Sequence, residues 1–81
     1  MLLLNGVLIS EVEATLPATD RALTHGLGLY ETLKLVDGVP VFFEEHVDRL
    51  VQGIAALGLE KHIDRPELAE QICRVSEANG V

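Results

Sequence analysis

The sequence predicts an α+β, two-layer small domain in which an antiparallel sheet of three or four strands is followed by two amphipathic helices. Three observations carry this expectation. Asn5-Gly6 and Asp37-Gly38 each sit between apolar runs, residues 29–36 alternate apolar with polar, and from residue 44 onward the apolar spacing lengthens to three and four. Asn-Gly and Asp-Gly tolerate the positive φ that a type I′ turn needs at both central positions, so each marks a hairpin. Strands gathered first and helices afterwards pack as two layers.

Each element has its own justification. Leu2 to Leu4 and Val7 to Ser10 flank the first turn. Pro17 begins a loop, Asp20-Arg21 starts one irregular helical turn, and Gly26 and Gly28 allow the backbone to bend or approach something closely. Along the strand expected at 29–36, Leu29, Glu31, Leu33 and Leu35 point one way, and Tyr30, Thr32, Lys34 and Val36 the other. After the second turn, Val39 to Phe43 returns antiparallel, with Pro40 marking an edge or a strand start. Glu44 and Glu45 suit the positive end of a helix dipole. Val47, Leu50, Val51, Ile54, Leu57 and Gly58 then share one helical face, with His46, Arg49 and Gly53 along its edge. Asp64 and Glu67 form a capping box with Pro66 in the first turn of the last helix. Leu68, Ile72, Cys73 and Val75 supply that helix with its apolar side. Asn79-Gly80 reads as a helix C-cap from which a longer chain is expected to continue.

Bulk properties narrow the function classes. With 81 residues, 48% of them hydrophobic, the chain is one small domain of the size that often leans on another domain, a metal or a second copy of itself. A net charge of −7 excludes a nucleic-acid footprint. A single cysteine gives no disulfide framework and suits a reducing, cytoplasmic setting, and no metal-ligand spacing is present. The opening run MLLLNGVLIS is broken by Asn5-Gly6 and lacks a basic flank, which rejects a signal peptide and a membrane span.

Arg49 is the first candidate for chemistry. A guanidinium at the border of a buried face is suited to bidentate capture of phosphate or carboxylate; the more common placement of such a residue is over the core or paired with Asp48 or Glu45. Tyr30, Thr32 and Lys34 could line a pocket; a half-solvated sheet face gives the same alternation. His25, beside Gly26, is either a donor near such a pocket or a loop residue with one backbone hydrogen bond. Glu31 falls among leucines, so its carboxylate must be paired or lie at a sheet edge, and a structural ion pair is the expectation. Cys73 occupies a core-like helical position, as an inert small hydrophobe. Gly53, mid-helix, costs about 1 kcal/mol relative to alanine, which a close approach beside Arg49 would offset.

Read together, Asp20-Arg21, the run His25-Gly26-Leu27-Gly28-Leu29-Tyr30-Glu31-Thr32-Leu33-Lys34, Asp37-Gly38, and Glu45-His46-Val47-Asp48-Arg49-Leu50 resemble one known family. It is the N-terminal domain of the class IV aminotransferases, the fold-type IV pyridoxal-phosphate enzymes. The family includes branched-chain and D-amino acid aminotransferases and 4-amino-4-deoxychorismate lyases. The resemblance implies pyridoxal 5′-phosphate as cofactor and Arg49 as its phosphate ligand. It implies Tyr30 lining the substrate pocket, Thr32 and Lys34 on the strand face turned toward the cofactor, and His25 at a position often held by Tyr or Phe. It further implies a homodimer acting on a small-molecule substrate, an amino acid or keto acid, with no role for nucleic acid or membrane.

The family's Schiff-base lysine and the glutamate facing the pyridine nitrogen lie in a C-terminal domain, and neither Lys34 nor Lys61 matches that lysine. Residues 1–81 are thus expected to be the small domain alone, without a catalytic residue and inactive in isolation. The expected activity is transamination of a branched-chain or similar amino acid with a 2-oxo acid; the lyase reaction, releasing pyruvate from aminodeoxychorismate, is the alternative. A non-catalytic ligand- or protein-binding module is the rival from another class. In the leading reading, Arg49 and the row led by Tyr30 share one cleft.

Overall fold

The computed structural model describes residues 1–81. Two hairpins and three helices follow in order: β1 (Leu2–Leu4), β2 (Val7–Ile9), α1 (Arg21–Thr24), β3 (Leu35–Val36), β4 (Val39–Pro40), α2 (Phe43–Leu57) and α3 (Arg65–Ala78). This is a small α+β domain with four antiparallel strands. Both hairpins turn where the dipeptides place them, with φ of 51° and 81° at Asn5 and Gly6 and of 50° and 76° at Asp37 and Gly38. Leu3 faces Leu8 in the first hairpin, and Val36 faces Val39 in the second.

The strands form two separate two-stranded sheets. β1 packs on α3, leaving the β1–β2 hairpin with no strand neighbour beyond itself. Residues 29–34, expected as strand, accordingly have no ladder; pairing begins at Leu35, prolonged by Val41 N–H donating to the Lys34 carbonyl at 2.8 Å. The facing pattern persists without the ladder. Glu31, Leu33 and Leu35 are half-buried, and Tyr30, Thr32, Lys34 and Val36 are exposed. The returning strand, expected to reach Phe43, stops at Pro40, because Phe42 turns left-handed (φ 56°, ψ 40°) and α2 begins at the next residue.

α2 carries Glu44 and Glu45 in its first turn and ends on a left-handed Gly58 (φ 68°) whose N–H caps the last turn. Val47 is the one fully buried apolar residue, whereas Val51 and Leu57 on the same face stay exposed. α3 starts as its sequence requires. The Asp64 carboxylate accepts from Glu67 N–H at 3.1 Å, and Pro66 sits in the first turn, where a missing N–H leaves nothing unsatisfied. Arg65 clamps α3 to α2 by pairing with Glu44 and, at 2.7 Å, with Asp48. At the far end, Asn79 Nδ2 donates to the Met1 carbonyl at 2.9 Å, and the Met1 ammonium donates to Asn79 Oδ1 at 3.2 Å.

Cys73 is exposed rather than core-like. It lies beyond the stripe of Leu68, Ile72 and Val75 that α3 turns inward. The molecule measures 36 × 31 × 17 Å, and no helix is long and apolar enough to cross a membrane.

Candidate functional site

The site is built where residues 28–33 lie against the middle of α2. Leu29 seats over Gly53: a β-carbon added there would come within 2.9 Å of both Leu29 methyl carbons. The mid-helix glycine therefore admits a side chain that alanine would push aside, the close approach expected of it. That seat sets the register of the next residues, and Glu31, two further on, projects toward the same helix.

There its carboxylate meets two side chains spaced three apart on α2. Oε1 accepts from Arg49 Nε at 3.2 Å, and Oε2 accepts from Arg49 Nη2 at 3.1 Å. His46 Nδ1 lies 2.5 Å from the same Oε2. Both the Glu31 and the His46 side chains are 15% exposed, against 61% for Arg49. The hydrogen bond from His46, then that from Arg49, hold the Glu31 carboxyl below the ordinary glutamate range, outweighing the upward push of burial. An ionised carboxylate only accepts, so the shared proton sits on His46 Nδ1. The 2.8 Å separation of Arg49 Nη2 from His46 Nδ1 is then the third side of a triangle of two donors aimed at one oxygen.

The pairing leaves half of the guanidinium free. Of the five N–H donors of an arginine, Nε–H and one on Nη2 serve Glu31, and the Nη1 edge has no partner within the chain. An exposed, planar donor edge with its opposite edge anchored has the form required to receive two oxygens of a phosphate or carboxylate. That is the fit this chain offers to a phosphorylated cofactor, and it concerns the phosphate end alone.

The other expected site residues lie elsewhere. Tyr30 is 89% exposed, and Thr32 and Lys34 are exposed on its side of the segment, opposite to Glu31. Tyr30 borders an apolar cavity of about 600 Å³ with Leu29, Leu33, Phe43, His46 and Val47, among others; Arg49, Thr32, Lys34 and His25 take no part in it. The structure thus brings Arg49 to Glu31 and His46, and the cleft expected to join it to the Tyr30 row is not formed by this chain. Period-two alternation leaves Tyr30 exposed and Glu31 half-buried, although both border that cavity. His25 ends α1, with Nδ1 2.7 Å from Thr24 Oγ1, and is exposed. Lys61 borders a separate hollow of about 500 Å³ between the first turn and α3.

The position of Glu31 among leucines calls for a partner but does not say which one. The available signal was the spacing His46-x-x-Arg49, with Gly53 one turn on: three residues on one stripe, two of them donors and the third a gap.

The segment that builds this cluster is one a known family shares. The model of the family described as Amino-transferase class IV matches residues 28–81, two thirds of the chain, and the chain belongs to that family. Among curated relatives, the aminodeoxychorismate lyase of Bacillus subtilis (strain 168) is 27% identical over 81 residues, covering 100% of this chain and 28% of its own length. The D-alanine aminotransferase of Bacillus licheniformis is 29% identical over 77 residues (95% of this chain, 27% of its own). A putative branched-chain-amino-acid aminotransferase of Methanocaldococcus jannaschii is 27% identical over 78 residues (96% and 27%). The chain therefore spans a little over a quarter of the length of these relatives. No solved structure matches it.

Proposed function

We propose that the chain is the N-terminal small domain of a pyridoxal-phosphate aminotransferase that moves an amino group between a branched-chain or similar amino acid and a 2-oxo acid. The observation that carries this reading is the anchored guanidinium with one free edge, inside the segment matched by the family. Arg49 binds the cofactor phosphate through its Nη1 edge. The cofactor, when bound, supplies the electron sink for chemistry at the α-carbon of the amino acid. Tyr30, Thr32 and Lys34, exposed together, form the substrate-side wall, and His25 lies at the head of that segment. In this reading the covalent lysine and the pyridine-facing glutamate come from the length the relatives have and this chain does not, so the chain alone is inactive. The working enzyme is a cytoplasmic homodimer.

A second reading is the lyase reaction of the same family. The match of the Bacillus subtilis aminodeoxychorismate lyase along the whole of this chain supports it.

The test is a titration of the chain with pyridoxal 5′-phosphate. Saturable binding lost in Arg49→Gln, with a visible spectrum indifferent to Lys34→Gln, is the expected result. Binding indifferent to Arg49→Gln removes the reading. A visible band that disappears in Lys34→Gln shows instead that the chain carries its own reactive lysine.

A further inference from the structure

We propose that Glu31 is a positioning residue: it presents the Arg49 guanidinium to the phosphate group and fixes which edge the anion meets. This rests on the reading of Arg49 as the phosphate ligand.

The geometry assigns the role in three linked steps. Leu29, seated over Gly53, fixes the backbone that carries Glu31. His46, at 2.5 Å from Oε2 and itself mostly buried, holds the carboxylate so that it does not follow the guanidinium. Two roughly parallel hydrogen bonds, at 3.2 Å to Nε and 3.1 Å to Nη2, then fix both the place and the plane of the fork. A long, 61% exposed side chain would otherwise sample many rotamers, and an incoming phosphate would have to order it.

Charge alone argues the other way. A carboxylate beside the guanidinium cancels part of the field that attracts an anion, so if Arg49 acted only as a point charge, Glu31 would weaken phosphate binding. Orientation and charge thus predict opposite outcomes for the same substitution.

The experiment uses the full chain as wild type, Glu31→Gln, Glu31→Asp and Arg49→Gln, with inorganic phosphate and pyridoxal 5′-phosphate as probes. The readouts are affinity and, before any ligand is added, the Arg49 Nε–H resonance. In wild type that resonance should be sharp and slow to exchange with water. Glu31→Gln should broaden it and weaken phosphate binding about tenfold, the loss of one orienting charge-assisted contact. Equal or tighter binding by Glu31→Gln overturns the positioning role and leaves Arg49 as a phosphate ligand. Where Glu31→Gln does not fold, Glu31→Asp decides. It keeps the charge but is one methylene shorter, so wild-type affinity with a broadened Nε–H resonance overturns the proposal, and weakened binding supports it. Arg49→Gln binding phosphate as well as wild type removes the phosphate-ligand reading, and the proposal with it.

Discussion

Glu31 is ionised in the folded chain below its ordinary range, held there first by His46 and then by Arg49, and this ties the cluster to acidity. A carboxylate whose folded pKa is depressed contributes stability that is fully present above its unfolded value and is lost as pH falls through the folded value. The stability difference between wild type and Glu31→Gln should therefore shrink as pH falls below the ordinary glutamate value of 4.5; urea unfolding across acidic pH measures this. Gly53→Ala sets a helix-propensity gain of about 1 kcal/mol against displacement of the Leu29 methyls. Leu29 is 41% exposed and can swing aside, so the net change should be within about 1 kcal/mol. Gly53→Leu offers no such escape and should unseat residues 28–31, visible as lost Arg49 Nε–H signal. At Cys73 the neighbouring Glu77, first by hydrogen bond and then by charge, raises the thiol pKa. Its alkylation near neutral pH should be slow for an exposed thiol, and faster in Glu77→Gln.

Among the elements, the ends carry the local chemistry. Asp64→Ala removes the acceptor of Glu67 N–H and should cost about 1 kcal/mol in urea unfolding. Phe42, at φ 56°, enters α2 left-handed and without a side-chain cap. Asn tolerates that conformation, so Phe42→Asn should stabilise the chain, by roughly 1 kcal/mol in the same assay. Much of this was legible in the sequence because it is short-range: Asn5-Gly6, Asp37-Gly38, Asp64 with Glu67, and the acidic start of α2 each decide their own φ or cap. Residues 29–34 were legible by half. Alternation says which side chains share a face, but not which strand, if any, lies alongside. The candidate site divides in the same way. His46-x-x-Arg49 on a helix edge can be read off, whereas the choice of Glu31 as the acceptor for both donors depends on Leu29 finding Gly53.

For the whole molecule, an accessible surface of 6241 Å² stands well above the roughly 4,800 Å² that size scaling gives for a compact monomer of this mass. The excess of roughly 1,400 Å² is larger than the ~800 Å² one partner contributes to a standard interface. Tyr30, Phe42, Val51 and Leu57 are among the exposed large apolar residues, so the isolated chain should bind a hydrophobic dye strongly, and a folded partner covering those residues should suppress the signal. The 17 Å dimension leaves room for little more than one layer of helices, each 10–12 Å across, against a hairpin. In heavy water, then, this chain should have almost no late-exchanging population. Amides of α2 around Val47 should outlast the rest, both hairpins should fill with deuterium early, and slow uptake throughout would mean that the plate has found a second surface to lie against.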